Sequence, residues 1–151
     1  MLLLYFEDKF WLILNMLNFK ITSLVFLFSI LIFNPSWGTE LLLFDNKKFL
    51  GCMNCGEYES GSICNSYGNF GSEYNSDSIW NEYGTYGSEY SSNSPWNEYS
   101  SSAPKIVDRQ GNYYGRFSIN IYSGYSQSSD LAEIYNSVDG DLDKVRDIFC
   151  K

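Results

Sequence analysis

The chain has 151 residues, carries a net charge of −8 at neutral pH from 18 acidic and 10 basic side chains, and contains no histidine. Without histidine it has no Ser-His-Asp or Cys-His nucleophile system, no c-type haem ligation and none of the usual histidine-ligated zinc centres. The acidic balance argues against nucleic acid and anionic membrane surfaces as partners, because phosphates are held by Lys and Arg; a cation or a basic protein surface stays open.

Residues 21–33, ITSLVFLFSILIF, form an uncharged apolar run preceded by Lys20 and followed by Ser36-Trp37-Gly38. A basic start, a short apolar centre and a small-x-small exit make residues 1–38 a signal peptide. The run of thirteen is short for a membrane span, which needs roughly 20 apolar residues. Glu7 and Asp8 do not suit the basic region, so the first fifteen residues read as an over-extended start, with the true start at Met16. The alternative is an uncleaved N-terminal anchor. Cys52 follows Phe49-Leu50-Gly51, but Asp45-Asn46-Lys47-Lys48 separates it from any apolar run, so it is no lipoprotein cleavage site. The expected destination is the periplasm or the exterior, with no membrane association after cleavage.

The remaining chain, residues 39–151, holds sixteen acidic and eight basic side chains. Residues 39–56 predict one short buried strand and a turn into the cysteine pair Cys52-Met-Asn-Cys55. Residues 57–104 divide into three sixteen-residue blocks starting at Glu57, Glu73 and Glu89, with the consensus E-Y-x-S-x-S-I-W-N-E-Y-G-x-Y-G-S. This region has seven acidic residues and no basic one. A fixed period of this kind predicts stacked units that cannot bury their apolar faces alone. Stacking aligns Ile63/Ile79, Cys64/Trp80/Trp96 and Tyr67/Tyr83/Tyr99, and all three columns are expected in a shared aromatic core. Within a block, residues 78–83 predict a Ser-initiated turn or one short helical turn, stopped by Gly84 in a left-handed conformation. Gly68 and Gly84 become Ser100, and Gly71 and Gly87 become Ala103, so the third block reads as a terminal cap. The competing reading is a low-complexity Tyr/Ser/Gly/Asn segment without fixed structure.

Residues 105–151 change character. Residues 106–108 and 113–122 predict a hairpin around Arg109-Gln110-Gly111-Asn112, with Tyr113, Gly115, Phe117, Ile119 and Ile121 on one face. Two short helices follow. Asp130 with Glu133 is expected to cap the first, which presents Leu131, Ile134, Tyr135 and Val138 and ends at Gly140. Asp141 starts the second, which buries Leu142, Val145, Ile148 and Phe149. This region is expected to pack with the blocks as one domain.

Four cysteines, Cys52, Cys55, Cys64 and Cys150, predict two disulfides in a small exported domain. The pairing expected is Cys55 with Cys64 and Cys52 with Cys150. A redox C-x-x-C at Cys52/Cys55 lacks a surrounding strand-helix-strand pattern, and a four-Cys zinc site lacks a second close pair. Asp139, Asp141 and Asp143 form D-x-D-x-D, but Lys144 and Cys150 stand where a calcium loop needs Gly and a bidentate Glu. The Glu57/Glu73/Glu89 and Glu82/Glu98 columns either splay into water or hold a divalent cation. No catalytic residue, cofactor or metal ligand is assigned. Trp80, Tyr83, Tyr86, Trp96 and Tyr99 are the candidate ligand-stacking residues, since ring faces on Gly-punctuated exported blocks stack on sugars or cations. The competing role, slightly favoured, is core: a chain poor in Leu, Ile and Val needs its rings for burial.

The G-C-M-N-C run at residues 51–55, S-I-W-N-E-Y-G-T-Y-G-S at residues 78–88, S-P-W-N at residues 94–97 and the I-V-D-x-x-G-N-Y-Y-G hairpin at residues 106–115 resemble small uncharacterised bacterial exported proteins with such tandem blocks. The resemblance implies no activity, substrate or site residue. The expected architecture is α+β: an aromatic block stack with little regular secondary structure, a β-hairpin and two C-terminal helices, disulfide-linked. The expected function is a non-enzymatic exported module with a structural or envelope/carbohydrate-binding role. A small thiol-redox or carboxylate enzyme and a self-associating tyrosine-rich matrix or adhesion protein are the alternatives.

Overall fold

The computed structural model describes residues 38–151. The segment read as a signal peptide, including the start at Met16, lies outside the described residues. The described chain is α+β: a four-stranded antiparallel sheet, a series of tight turns, and two short helices, joined by two disulfides.

Strands β1 (Leu42–Asp45) and β2 (Lys48–Cys52) form a hairpin where a single strand is expected from the sequence. Asn46 supplies the reason. It takes φ +52°, the left-handed region that Asn tolerates better than most side chains, and so closes a two-residue turn. Strands β3 (Lys105–Val107) and β4 (Tyr113–Arg116) form the second hairpin, and β3 pairs with β1, giving the order β2-β1-β3-β4. Leu43 and Ile106 are cross-strand partners, and both are fully buried. The β3–β4 loop is built on Asp108. Its carboxylate accepts from the backbone N–H of Gln110 (2.9 Å) and Asn112 (2.8 Å), from Asn112 Nδ2 (2.7 Å) and from the Tyr114 hydroxyl (3.1 Å).

The blocks fold as turns without helix, and the hydrogen bonds show why. In each block a Ser Oγ accepts from the N–H two residues on: Ser62 from Cys64, Ser78 from Trp80 and Ser94 from Trp96, each at 3.1 Å. Three residues past that Ser, an Asn Oδ1 accepts from a Tyr N–H: Tyr67 (3.1 Å), Tyr83 (3.1 Å) and Tyr99 (2.8 Å). The same Asn Nδ2 groups reach back to the carbonyls of Glu59, Asn75 and Ser91, each at 3.2 Å. Short polar side chains thus capture backbone groups that a helix would otherwise use. Gly84 does not take the left-handed conformation expected of it. The closer constraint is at Gly71 and Gly87, where a side chain would collide with the backbone of Asn65 and Asn81.

Consecutive blocks lie directly on one another. The Trp80 and Trp96 rings sit 5.2 Å apart, Trp80 Nε1 donates to the Ile63 carbonyl (2.6 Å) and Trp96 Nε1 to the Ile79 carbonyl. Each ring therefore serves its own layer by area and the preceding layer by a hydrogen bond.

The third block does not end the stack. After Ala103 the chain leaves through β3 and β4, then returns. Strand β4 stops at Arg116, short of the expected residue 122. Gly115, at φ +106°, passes so close to Gly124 that no side chain fits between them. Phe117 N–H then donates to the Pro104 carbonyl (2.8 Å) and Ile119 N–H to Pro95 (2.9 Å). Ser118 Oγ accepts from Asn120 N–H (3.1 Å), and Asn120 Oδ1 from Tyr122 N–H (3.0 Å). Residues 118–122 thus repeat the block geometry with one residue fewer, as a fourth layer. Phe117 and Ile119 are buried while Tyr113 and Ile121 are exposed, so the expected single apolar face is broken. Local Ser and Asn hydrogen bonding overrides strand alternation there.

The helices cover the stack. Helix α1 (Ser128–Ser137) begins at Gln127 with no side-chain cap, so the expected Asp130–Glu133 box is absent; Asp130 instead lies in the first turn, where the helix dipole favours a carboxylate. Helix α2 (Leu142–Phe149) is capped by Asp141, which accepts from Lys144 N–H. Leu131, Leu142 and Val145 are buried, Ile134, Tyr135, Val138 and Phe149 pack against the core, and Ile148 is exposed, contrary to expectation. Trp96 stacks on Tyr135 (5.8 Å, 6° between planes), and Phe117 meets Trp96 and Phe149 edge-on.

The disulfides are Cys52–Cys55 and Cys64–Cys150, a correction to the pairing expected from the sequence. Cys64 occupies the column of Trp80 and Trp96, against which α2 packs through Phe149, and that places the neighbouring Cys150 within bonding reach.

Candidate binding surface

Each block turns inward the run that begins at Ser62, Ser78 or Ser94, and turns outward the tyrosines that follow its opening Glu and its Asn. Two files of tyrosine result. Tyr58, Tyr74 and Tyr90 follow the opening Glu of each block; Tyr67, Tyr83 and Tyr99 follow the Asn, and Tyr122 extends this file by one layer. These seven rings are 84–98% exposed. The column Tyr67/Tyr83/Tyr99 is therefore surface where the sequence suggested core. An Asn that captures the N–H two residues on closes a tight corner, and the two residues after it point away from the stack.

Their backbones are fixed. Besides the four Asn-held tyrosines, Tyr74 N–H donates to Ser72 Oγ (3.2 Å) and Tyr90 N–H to Ser88 Oγ (3.4 Å). A ring on such a turn has little backbone freedom left to lose on binding.

The candidate stacking residues separate sharply. Tyr83 and Tyr99 present their rings to solvent. Trp80 and Trp96 are 1% exposed, and their faces are covered by each other, Phe149, Phe117 and Tyr135. Tyr86 is buried as well; its hydroxyl lies 3.1 Å from Asp45 Oδ2, and burial, aided by that carboxylate, pushes it up to about 12. Those three rings therefore form the support of the surface and do not face a ligand. Sequence reasoning missed Tyr58, Tyr67, Tyr74, Tyr90 and Tyr122 as surface groups. The available signal was that Tyr is constant at two positions per block that are out of phase with the Ile-Trp pair.

Carboxylates accompany the rings. Hydrogen bonding to Glu73, Glu82 and Glu89 raises the hydroxyls of Tyr74, Tyr83 and Tyr90 above the ordinary phenol range. The Tyr74 hydroxyl and Asp143 hold Glu73 below the usual carboxylate range, while burial and the facing Glu73 push Asp143 up. Two adjoining depressions of about 880 and 550 Å³ lie between the block tyrosines and the α1–α2 link, sharing Glu82, Tyr83, Asp139, Gly140 and Leu142.

No family model, curated protein or solved structure matches the chain.

Other candidate chemistry is placed as follows. Glu40, Cys52 and Cys55 converge within 4.8 Å, but both sulfurs belong to the Cys52–Cys55 disulfide and offer no thiolate. Among the described residues, no three carboxylates of the Glu columns come together at that spacing. Asp141 pairs with Lys144 (2.8 Å) and Asp143 with Arg146 (3.0 Å), so D-x-D-x-D serves the start of α2. Among the described residues no helix is long and apolar enough to cross a membrane, which, with two disulfides, is compatible with export.

Proposed function

We propose that the protein is a non-enzymatic exported module that binds envelope polysaccharide through its tyrosine files. The observation that supports this is the set of seven tyrosines left 84–98% exposed on hydrogen-bonded turns. Singly scattered exposed rings need no explanation, but rings repeated at the same position of successive layers supply a regular set of faces for a ligand. Phenol rings suit sugar, since the ring face covers the apolar C–H face while the hydroxyl keeps a polar handle. The thiol-enzyme alternative is disfavoured because Cys52, the first cysteine of the C-x-x-C, is 1% exposed.

The test is a pull-down of residues 39–151 on envelope polysaccharide, comparing the native sequence with Tyr74→Ser/Tyr83→Ser/Tyr90→Ser. The variant is expected to lose retention at an unchanged melting midpoint. Equal retention of the two proteins refutes the reading. A Trp80/Trp96 variant is unsuited to this purpose, because both rings are core. A second reading, self-association, is favoured by the same unpartnered face; concentration-dependent light scattering abolished by the same triple variant would identify it.

A further inference from the structure

We infer that the occupant of the groove between the block tyrosines and the α1–α2 link is a polycationic glycan, a linear polysaccharide bearing free amino groups. The inference rests on the glycan reading above and adds the charge class of the ligand.

Charge and shape point together. One wall of the two adjoining depressions is formed by Tyr74, Tyr83 and Tyr90, and the other by residues 138–144. Glu73, Glu82 and Glu89 rise beside the rings, and Asp139 faces them from the link. Among the described residues, none of these four carboxylates has a Lys or Arg within 4.0 Å. The basic side chains nearby are already paired, Lys144 with Asp141 and Arg146 with Asp143. The groove thus sets four carboxylates without a direct ion-pair partner next to exposed aromatic faces. An ammonium satisfies both at once, by pairing with a carboxylate and by lying over a ring. A neutral sugar satisfies only the ring. An anionic polymer meets repulsion.

The layer spacing favours a polymer over a single cation. The Trp80 and Trp96 rings of adjacent layers lie 5.2 Å apart, and Glu and Tyr recur once per layer along the groove. A chain with regularly placed amino groups engages several layers at once, and the linked contacts multiply its affinity.

Titration calorimetry on residues 39–151 tests this with two probes of one length, a glucosamine oligosaccharide and its fully N-acetylated counterpart, at pH 6. The amino oligomer is expected to bind at least about tenfold more tightly at low ionic strength, and to weaken as salt rises toward 1 M. Glu82→Gln/Glu89→Gln is expected to remove that preference while leaving the melting midpoint unchanged, because both side chains are exposed. Equal affinity for the two oligomers overturns the inference and leaves the glycan reading standing. Binding of neither, with no retention on envelope polysaccharide, overturns both. Binding of oligolysine as tight as that of the amino oligomer also overturns it, since the surface would then select charge without sugar.

Discussion

Removing the two disulfides separately should produce very unequal losses. Cys64–Cys150 spans 86 residues of sequence, while Cys52–Cys55 spans three. In the chain-entropy model the long bridge contributes about 4–5 kcal/mol and the short one about 2 kcal/mol. A domain of this size has total stability on the order of 5–15 kcal/mol. Cys64→Ser/Cys150→Ser should therefore remove a large share of it, whereas Cys52→Ser/Cys55→Ser should remain well folded. The long bridge also anchors α2 beside the Trp80 layer, so its loss frees the helix whose Phe149 packs on Trp80 and Phe117. Thermal melts followed by circular dichroism should place the two double variants roughly 10 °C apart. Mapping of a non-reduced digest supplies an independent check, by joining the Cys64 peptide to the C-terminal one. A Cys55–Cys64 peptide, or a larger loss in the Cys52/Cys55 variant, would refute the reasoning.

Three further outcomes follow from the layers. Ser78→Ala removes a fully buried hydroxyl that donates to the Phe70 carbonyl (3.0 Å) and accepts from Trp80 N–H; it should cost about 1–3 kcal/mol in urea unfolding, and an unchanged midpoint would count against the turn mechanism. Gly87→Ala forces a methyl group into the backbone of Asn81 and should cost about 1–3 kcal/mol, whereas Gly111→Ala meets no neighbouring atom and is limited to the strain of its positive φ. Tyr86 has a folded pKa of about 12 against an ordinary 10.0, so its contribution is complete below pH 10 and is lost as pH rises through 12. In ultraviolet titration Tyr86→Phe should remove the latest phenolate step, and a step that persists in the variant would assign it to another ring.

Much of the architecture was readable in the residues. The sixteen-residue register aligned Ile63 with Ile79 and Cys64 with Trp80 and Trp96, and those columns are the interior of the stack. Period 3.6 patterning located both helices, and Asp141 was recognisable as the start of the second. The alignment could not say which way the third column faces. An aromatic residue at constant register is equally consistent with a core ladder and a surface ladder, and only the Asn corner decides between them.

The sequence by itself determined the local chemistry: that a Ser opens a turn in each block, that Asp141 starts the last helix, and that the blocks must share their cores because none has enough apolar area alone. Tertiary structure alone decided three things. It returned residues 118–122 onto the third block as a fourth layer, although their alternation reads as strand. It chose Cys150 as the partner of Cys64, because disulfide pairing depends on which sulfurs the folded chain brings together and sequence spacing does not encode that distance. It also left the tyrosine files beside carboxylates without a direct ion-pair partner, since the facing link between the helices comes from more than forty residues further along the chain.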